Sequence, residues 1–374
     1  MNKKVLLYLG KFPACGFDID GGSILAKQLI DTLKKICTLD VVFIRKYGET
    51  FSDIEVNRIS YVDYKDAENN KFARRLKNLD SNREALKDFC KYDLVITAHV
   101  SKFFGMEIFG NEFWDKTILF PMFCTQSYRL AGEFVPDEYT VMEQKVIEKV
   151  GKIITPSKIE CEDLIRDYGC SRSKIKLIHR GISSLIMRRA NYEIHTPVKM
   201  VYITSIKKQK NHFAVLELLK NLNGFNLKTE LHLIFTVQDK LLYKQFLEEI
   251  SKKKLDSMII FHEALSQKDL AKILYEADIN ISTSLWETFG RGIFEGMAAG
   301  LPTFVFEKLE NVKKICGDDG GIYFSKNIFD MAQAILQLIQ NREKYKNASD
   351  EAFKLASQFS ADEEREALLR EIFS

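Results

Sequence analysis

The chain has 374 residues, 29% of them charged and 46% hydrophobic, with a formal net charge of +3. That composition is ordinary for a globular protein in water, and so small a charge, with no basic run interleaved with aromatics, argues against nucleic-acid binding. No apolar run approaches the roughly 18–20 residues that cross a bilayer, and the length suits two domains of roughly 180 residues better than one core.

The N-terminus starts with charge, but its apolar stretch is too short for a signal peptide and runs into a turn, which predicts a first strand over 5–9. Next come Gly21 and Gly22, in Gly16-Phe-Asp-Ile-Asp-Gly-Gly-Ser. Paired glycines let backbone approach a ligand, and the following helix N-terminus favours phosphate; a plain tight turn is the alternative. Ile24, Leu25, Gln28, Leu29, Leu33 and Ile36 recur at threes and fours, predicting a helix over 21–35. Strands are predicted over 41–44 and 94–98, separated by a solvated helix over 74–90. Lys71, Arg74, Arg75 and Lys77, with Phe72 and Leu76 between them, read as a solvated basic face, with contact to a membrane surface as the alternative.

His99 ends the strand 94–98, at the carboxyl edge where open α/β sheets hold ligands. It can hydrogen-bond an acceptor or a donor hydroxyl; a half-buried histidine bonded to backbone is the structural alternative. A strand over 117–121 follows, then Arg129 on a surface loop, with contact to an anionic acceptor as the alternative, a helix over 137–149, a strand at 153–155, a helix through 164 and a strand over 174–179. This alternation predicts parallel βαβ units.

Residues 185–198 show no sustained period and read as a linker between a first domain, 1–184, and a second, 199–360. The second domain opens on a strand over 199–204 and the loop Ser205-Ile-Lys-Lys-Gln-Lys210-Asn-His. A helix over 212–222, strands over 231–235 and 258–261, a helix over 267–276 and a buried strand from 278 follow. The final amphipathic helix is predicted over 361–374. The seven cysteines (15, 37, 90, 124, 161, 170 and 316) are scattered, and none has zinc-ligand spacing, so they read as reduced structural thiols.

The richest run is 284–303, Ser-Leu-Trp-Glu-Thr-Phe-Gly-Arg-Gly-Ile-Phe-Glu-Gly-Met-Ala-Ala-Gly-Leu-Pro-Thr. Glu287 and Glu295 flank a glycine turn, Gly290-Arg291-Gly292, which leads into a short apolar helix. Amides freed by the turn and the first helical turn favour a diphosphate, and the carboxylates can accept bonds from sugar and ribose hydroxyls. That outlines a nucleotide-sugar site.

This run resembles the E-x7-E signature of retaining glycosyltransferases of family 4, in its glutamates, its glycine turn, its Met-Ala-Ala-Gly helix end and the following Leu-Pro. The resemblance implies the GT-B architecture: an α/β protein of two Rossmann-like domains facing a cleft, with the C-terminal helix crossing back to the first domain. It implies that Glu295 binds the nucleotide ribose and that Glu287 meets the donor sugar's hydroxyls. The amides of Phe289, Gly290 and Arg291 would lie against sugar and phosphate, with the Arg291 side chain solvated. Lys210 falls at the family's diphosphate-binding lysine. Ser205 stands where the family has an arginine, and Lys207, Lys208 or an amide would replace that charge. The Gly21-Gly22 loop resembles one that faces donor and acceptor. Glu263, and the stretch 304–311, lack glycines usual in the family.

The resulting expectation is a cytoplasmic, metal-independent retaining glycosyltransferase without a cofactor. Its donor would be a nucleotide sugar, a UDP-sugar first. Its acceptor would be a glycan, lipid-linked or protein hydroxyl, with peripheral contact at the inner membrane face as an option. A non-catalytic GT-B subunit that binds a glycosylated partner is the alternative.

Overall fold

A computed structural model describes residues 3–10, 21–45, 55–63, 71–121, 125–130, 132–317 and 320–374. The chain forms two compact units: one extends to His179 and takes back Arg365–Ser374, the other comprises Arg180–Glu364. Each is built on a parallel sheet, the α/β class that the alternation predicts.

In the first unit the strands are β1 (Lys4–Leu9), β2 (Thr38–Arg45), β3 (Arg58–Asp63), β4 (Leu94–Ala98), β5 (Thr117–Phe120), β6 (Lys152–Thr155) and β7 (Ile175–Leu177), in the order β3-β2-β1-β4-β5-β6-β7. From Val5 to Leu9 β1 is an unbroken buried run, because helices cover both faces of a parallel sheet. Leu6 and Tyr8 join the core that holds Phe103, Phe113 and Trp114. Val5, Leu7 and Leu9 point the other way, to Leu25, Leu29 and Leu33 of the helix Gly21–Leu33. Leu368 and Ile372 of the last helix, Ala361–Phe373, complete this second core. The C-terminal helix therefore returns to the first domain, as expected.

Two local expectations are corrected. β3 was not predicted, because an edge strand reading Arg-Ile-Ser-Tyr-Val-Asp is only half buried and carries no clean apolar run. The predicted helix over 74–90 is two helices, Lys71–Leu76 and Leu79–Leu86, with a 3₁₀ turn at Phe89–Lys91. Asn78 divides them: its side-chain amide takes the Arg74 carbonyl at 2.5 Å while its backbone N–H goes to Arg75, the competition with helix bonding that Asn offers.

The second unit has β8 (Val198–Ile206), β9 (Thr229–Val237), β10 (Ile259–Glu263), β11 (Ile279–Ser282), β12 (Thr303–Phe306) and β13 (Ile322–Ser325), in the order β10-β9-β8-β11-β12-β13. Residues 185–198 are pinned to this unit. The buried Arg189 guanidinium donates to Tyr345 Oη (2.6 Å), the Ala277 carbonyl (2.8 Å) and Asp278 (3.3 Å). Asp278, wholly buried, also accepts from the backbone of Lys199 and from His195.

Each sheet reverses its strand order once, between β1 and β4 and between β8 and β11. Ligands of open α/β sheets bind beyond the carboxyl ends of strands at such points. Among the described residues no helix is long and apolar enough to cross a membrane, and no cluster of three or more His, Cys, Asp or Glu is arranged to hold a metal ion.

Candidate functional site

At the second unit's reversal, β8 leads into a 3₁₀ turn, Lys208–Lys210, and Asn211 adopts a left-handed φ of 50° before the helix His212–Gly224. The turn is fastened to the segment after β11. The Lys210 carbonyl accepts from Tyr202 Oη (2.6 Å) and Thr283 Oγ1 (3.2 Å), and the Leu285 N–H donates to the Gln209 carbonyl at 2.8 Å. Lys210 is thereby aimed across the reversal, and its Nζ meets Glu287 Oε1 at 2.5 Å. Both side chains are mostly shielded from water, with 14% and 15% of their surface exposed. Asn311, on the helix Glu310–Cys316, holds the backbone that carries Glu287, donating to the carbonyls of Glu287 and, at 3.1 Å, of Thr288.

Gly290 makes the turn that follows, with φ of +87°, where a Cβ would also lie 3.1–3.2 Å from Ile293 and Val312. Its carbonyl takes the N–H of Ile293 at 2.8 Å and of Phe294 at 3.2 Å, starting the helix Arg291–Ala298. The first amides of a helix have no intrahelical acceptor and attract anions. That helix lies close on the sheet because Gly292 and Gly296 have no side chains. A Cβ on Gly292 would stand 2.8 Å from Ile203 Cβ, and one on Gly296 would meet the Asn280 side chain. Phe289 is buried, stacked on Phe294 with ring centroids 4.6 Å apart and edge-on to Phe359 at 5.6 Å, which anchors the turn from below.

Glu295 lies in the second turn of this helix, and Arg291 is not solvated: its Nε donates to Glu295 Oε1 at 3.0 Å. Only 2% of Glu295 is exposed. Burial pushes its carboxyl above the usual range, against the opposing pull of the Arg291 charge and of hydrogen bonds from Arg291 and Gln267. His212, beside Lys210, is buried and pushed down to about 3, first by burial and then by the Lys210 charge. It is neutral at physiological pH and adds no charge to the site.

Ser205 is the penultimate residue of β8 and buried, with Lys207 half-buried and Lys208 exposed in the turn that follows. Glu263 ends β10, and the residue after it, Ala264, has the positive φ, 57°. Lys210, Glu287, Phe289, Gly290, Arg291, Glu295 and Ser205 thus all belong to one unit and one strand reversal. His99, Gly21 and Gly22 belong to the other unit. His99 directly follows β4 with φ of 100° and is half-buried, its Nδ1 accepting from Ser101 N at 3.2 Å and lying 2.9 Å from Ser101 Oγ. Gly21 and Gly22 begin the helix Gly21–Leu33, and the loop before them lies outside the described residues.

Two further readings change. Arg129 sits on a short helix, Thr125–Leu130, not a loop, and its guanidinium donates to Thr140 Oγ1 at 3.2 Å. The basic stretch 71–77 is a solvated face only in part: Lys77 is exposed, but Phe72 is buried and Arg75 is half-buried against Tyr139, 3.1 Å from its hydroxyl. Cys37, Cys161, Cys170 and Cys316 are buried free thiols and Cys90 an exposed one; Cys15 and Cys124 lie outside the described residues. Asn311, Tyr202, Thr283 and Gln267 were not singled out from the sequence. Each acts through a contact between distant segments, and a single chain carries no local signal of that.

Residues 186–355 match the family model described as Glycosyl transferases group 1. No curated protein matches the chain. Among solved structures, sucrose-phosphate synthase from Thermosynechococcus elongatus is similar over 100% of this chain and 99% of its own, at 15% identity and a TM-score of 0.84. Anabaena HepE, solved in complex with UDP and glucose, is similar over 100% of both chains at 13% identity and a TM-score of 0.74. WaaG, a glycosyltransferase involved in lipopolysaccharide biosynthesis, is similar over 97% of this chain and 99% of its own, at 13% identity and a TM-score of 0.75. At these identities the likeness shows the shared two-domain fold.

Proposed function

We propose that this protein is a retaining glycosyltransferase that moves a sugar from a nucleoside diphosphate sugar, a UDP-sugar first, to a hydroxyl acceptor. The observation that carries the reading is the convergence of Lys210, Glu287 and the Gly290-capped helix N-terminus at one strand reversal. A cation and free amides suit a diphosphate; a carboxylate a few ångströms away suits sugar hydroxyls. The family match covers this whole arrangement, and HepE, of similar fold, was solved with UDP and glucose.

In this reading the second unit binds the donor and the first binds the acceptor, a glycan, lipid-linked or protein hydroxyl. As the bond from the anomeric carbon to the diphosphate breaks, negative charge grows on the leaving oxygen. Lys210 and the amides after Gly290 stabilise it. The acceptor hydroxyl attacks from the same face, its oxygen bonding to the anomeric carbon and its proton passing to the departing diphosphate. Glu287 orients the sugar, and Glu295, fixed by Arg291, accepts from the ribose. His99 would hydrogen-bond a hydroxyl of donor or acceptor, and Gly21-Gly22 would let backbone approach the ligand. The protein would act in the cytoplasm, at most peripherally at the membrane, without cofactor or metal. Asp18 and Asp20, at a spacing that can share a cation, lie outside the described residues.

Calorimetric titration with UDP, GDP and ADP, beside Glu295→Ala, tests this. Saturable binding of one nucleotide, weakened by the substitution, is the expected result. The absence of the arginine at Ser205 favours a second reading, a non-catalytic subunit that binds a glycosylated partner, and failure to bind any of the three nucleotides would put it first.

A further inference from the structure

The edge of the second unit's sheet carries a chain of three polar side chains that the donor site, as described above, does not use. His232 Nε2 lies 3.0 Å from Glu230 Oε1, and His232 Nδ1 lies 3.0 Å from His262 Nε2. Glu230 and His232 are on β9, and His262 is the penultimate residue of the edge strand β10. The two imidazole planes are within 6° of each other, with centres 5.2 Å apart. That separation is close to the longest that a 3.0 Å contact between two ring nitrogens allows. The rings therefore lie side by side in one plane, and the contact is a hydrogen bond rather than a stack.

A carboxylate can only accept, and a neutral imidazole has one donor nitrogen and one acceptor. With both rings neutral, the order along the chain is therefore fixed. His232 Nε2–H donates to Glu230, the bare His232 Nδ1 accepts from His262 Nε2–H, and His262 Nδ1 is left as a bare acceptor. Burial, and then the charge of His232, hold the His262 imidazole below its usual range, which favours the neutral ring. Where that acceptor faces follows from the register. His232 is level with Ile260, two residues before His262, so His262 Nε2 is directed back along the strand and Nδ1, across the ring, faces the carboxyl end. The segment leaving that end opens the helix Gln267–Glu276, whose Gln267 hydrogen-bonds Glu295, the carboxylate proposed to bind the ribose. Only β9 separates β10 from β8, about 10 Å from one to the other at the usual strand spacing. Lys210, Glu295 and His262 thus follow one another in the order of diphosphate, ribose and base.

We propose that His262 Nδ1 reads the nucleobase of the donor by accepting a hydrogen bond from a ring N–H. This rests on the donor reading above and narrows it. Uracil and guanine carry hydrogen on the ring nitrogen of their pairing edge; cytosine and adenine present a lone pair there, which would meet the lone pair of Nδ1. The donor is then a uridine or guanosine diphosphate sugar. Glu230 and His232 are positioning residues that hold the tautomer of His262.

The test titrates the full chain at pH 8 with UDP, GDP, CDP and ADP, and with UDP methylated at N3 and GDP methylated at N1. UDP or GDP should bind about tenfold tighter than CDP and ADP, the effect of one hydrogen bond whose loss leaves an acceptor unpaired. The tighter of the two names the base, and methylation of its ring nitrogen should abolish its advantage. His262→Leu should bring the four nucleotides to within about threefold of one another, by weakening the preferred one alone. His262→Gln, which keeps an acceptor, should retain part of the preference. His232→Leu frees His262 to take either tautomer and should reduce the preference while binding persists. A purely structural role for the chain would shift all four nucleotides alike. Preference for CDP or ADP, no preference at all, a methylated nucleotide that binds as its parent does, or a preference that survives His262→Leu overturns the proposal and leaves the donor reading standing. Binding of no nucleotide removes both. The methylated nucleotides put the question to the unaltered protein, so the answer does not depend on how the variants fold.

Discussion

Replacing Glu287 by glutamine should tighten the binding of UDP, not weaken it. Lys210 Nζ is held by Glu287 at 2.5 Å, so a diphosphate that recruits Lys210 must loosen that bond. Charge-assisted hydrogen bonds contribute about 1.5–3 kcal/mol when well shielded, and exposed pairs about 1 kcal/mol or less. With roughly a seventh of each side chain exposed, the pair belongs between these, near 1–1.5 kcal/mol by the same scales. UDP brings no sugar hydroxyls to satisfy the carboxylate that Lys210 leaves, so it bears this cost in full.

Glu287→Gln removes the competitor and should improve the UDP dissociation constant by about five- to tenfold. Lys210→Met removes the grip itself and should weaken UDP by about tenfold or more. Sugar transfer should fall in both variants, since each loses a group proposed to act on the donor. Calorimetry on wild type, both single variants and the double variant, at one ionic strength, reads the comparison directly. If Glu287→Gln weakens UDP as much as Lys210→Met does, Glu287 orients Lys210 and does not compete for it, and the reasoning fails.

Arg189→Met should lower stability by about 3–5 kcal/mol, the cost of stranding a buried partner, because it leaves the wholly buried Asp278 with an uncompensated charge; urea midpoints check it, and a change under 1 kcal/mol would refute it. Gly292→Ala should cost about 1–3 kcal/mol of overpacking as its methyl meets Ile203, and should weaken UDP by shifting the Gly290 turn; a melt and a titration that both match wild type would sink this. His212 has its folded pKa pushed down to about 3, so below about 6.5 only the unfolded chain takes its proton. Stability at that residue is complete above 6.5 and is lost as pH falls, by about 1.4 kcal/mol per pH unit; a flat urea midpoint between pH 6.5 and 5, no different in His212→Gln, would contradict it. Transfer activity should survive excess EDTA, and its abolition with rescue by a divalent cation would end the metal-independent reading.

What the sequence conveys is the part of the molecule written in short range. β1, the helix at 137–149 and the run 284–303 are visible because apolar period, helix punctuation and glycine turns are local. Gly290 can be picked out as a turn residue before its φ of +87° is seen. The partners of the site residues are a different matter. Arg291 is expected to be solvated, yet the sheet beneath its helix buries Glu295 and leaves Arg291 as its ion-pair partner. Asn311 and Thr283 come from segments 24 and 73 positions away from the groups they bind, so their roles appear only once β8, β11 and β12 are side by side. Phe72 and Arg75 read as a surface stripe because the sequence does not show Tyr139 and Tyr128 packing on them.

Lys210 faces its own acid, Glu287. An anion that merely displaces that acid exchanges one ionic bond for another and gains little. A ligand gains fully only if it also supplies hydroxyls to the released carboxylate, so this reversal should favour an anion joined to a sugar over an anion alone. Part of that selectivity would lie in uncharged hydroxyl contacts, so salt should weaken UDP-glucose binding less steeply than UDP binding. Titrations of both at low and high potassium chloride read the two slopes; equal slopes would mean that the internal acid confers no such discrimination.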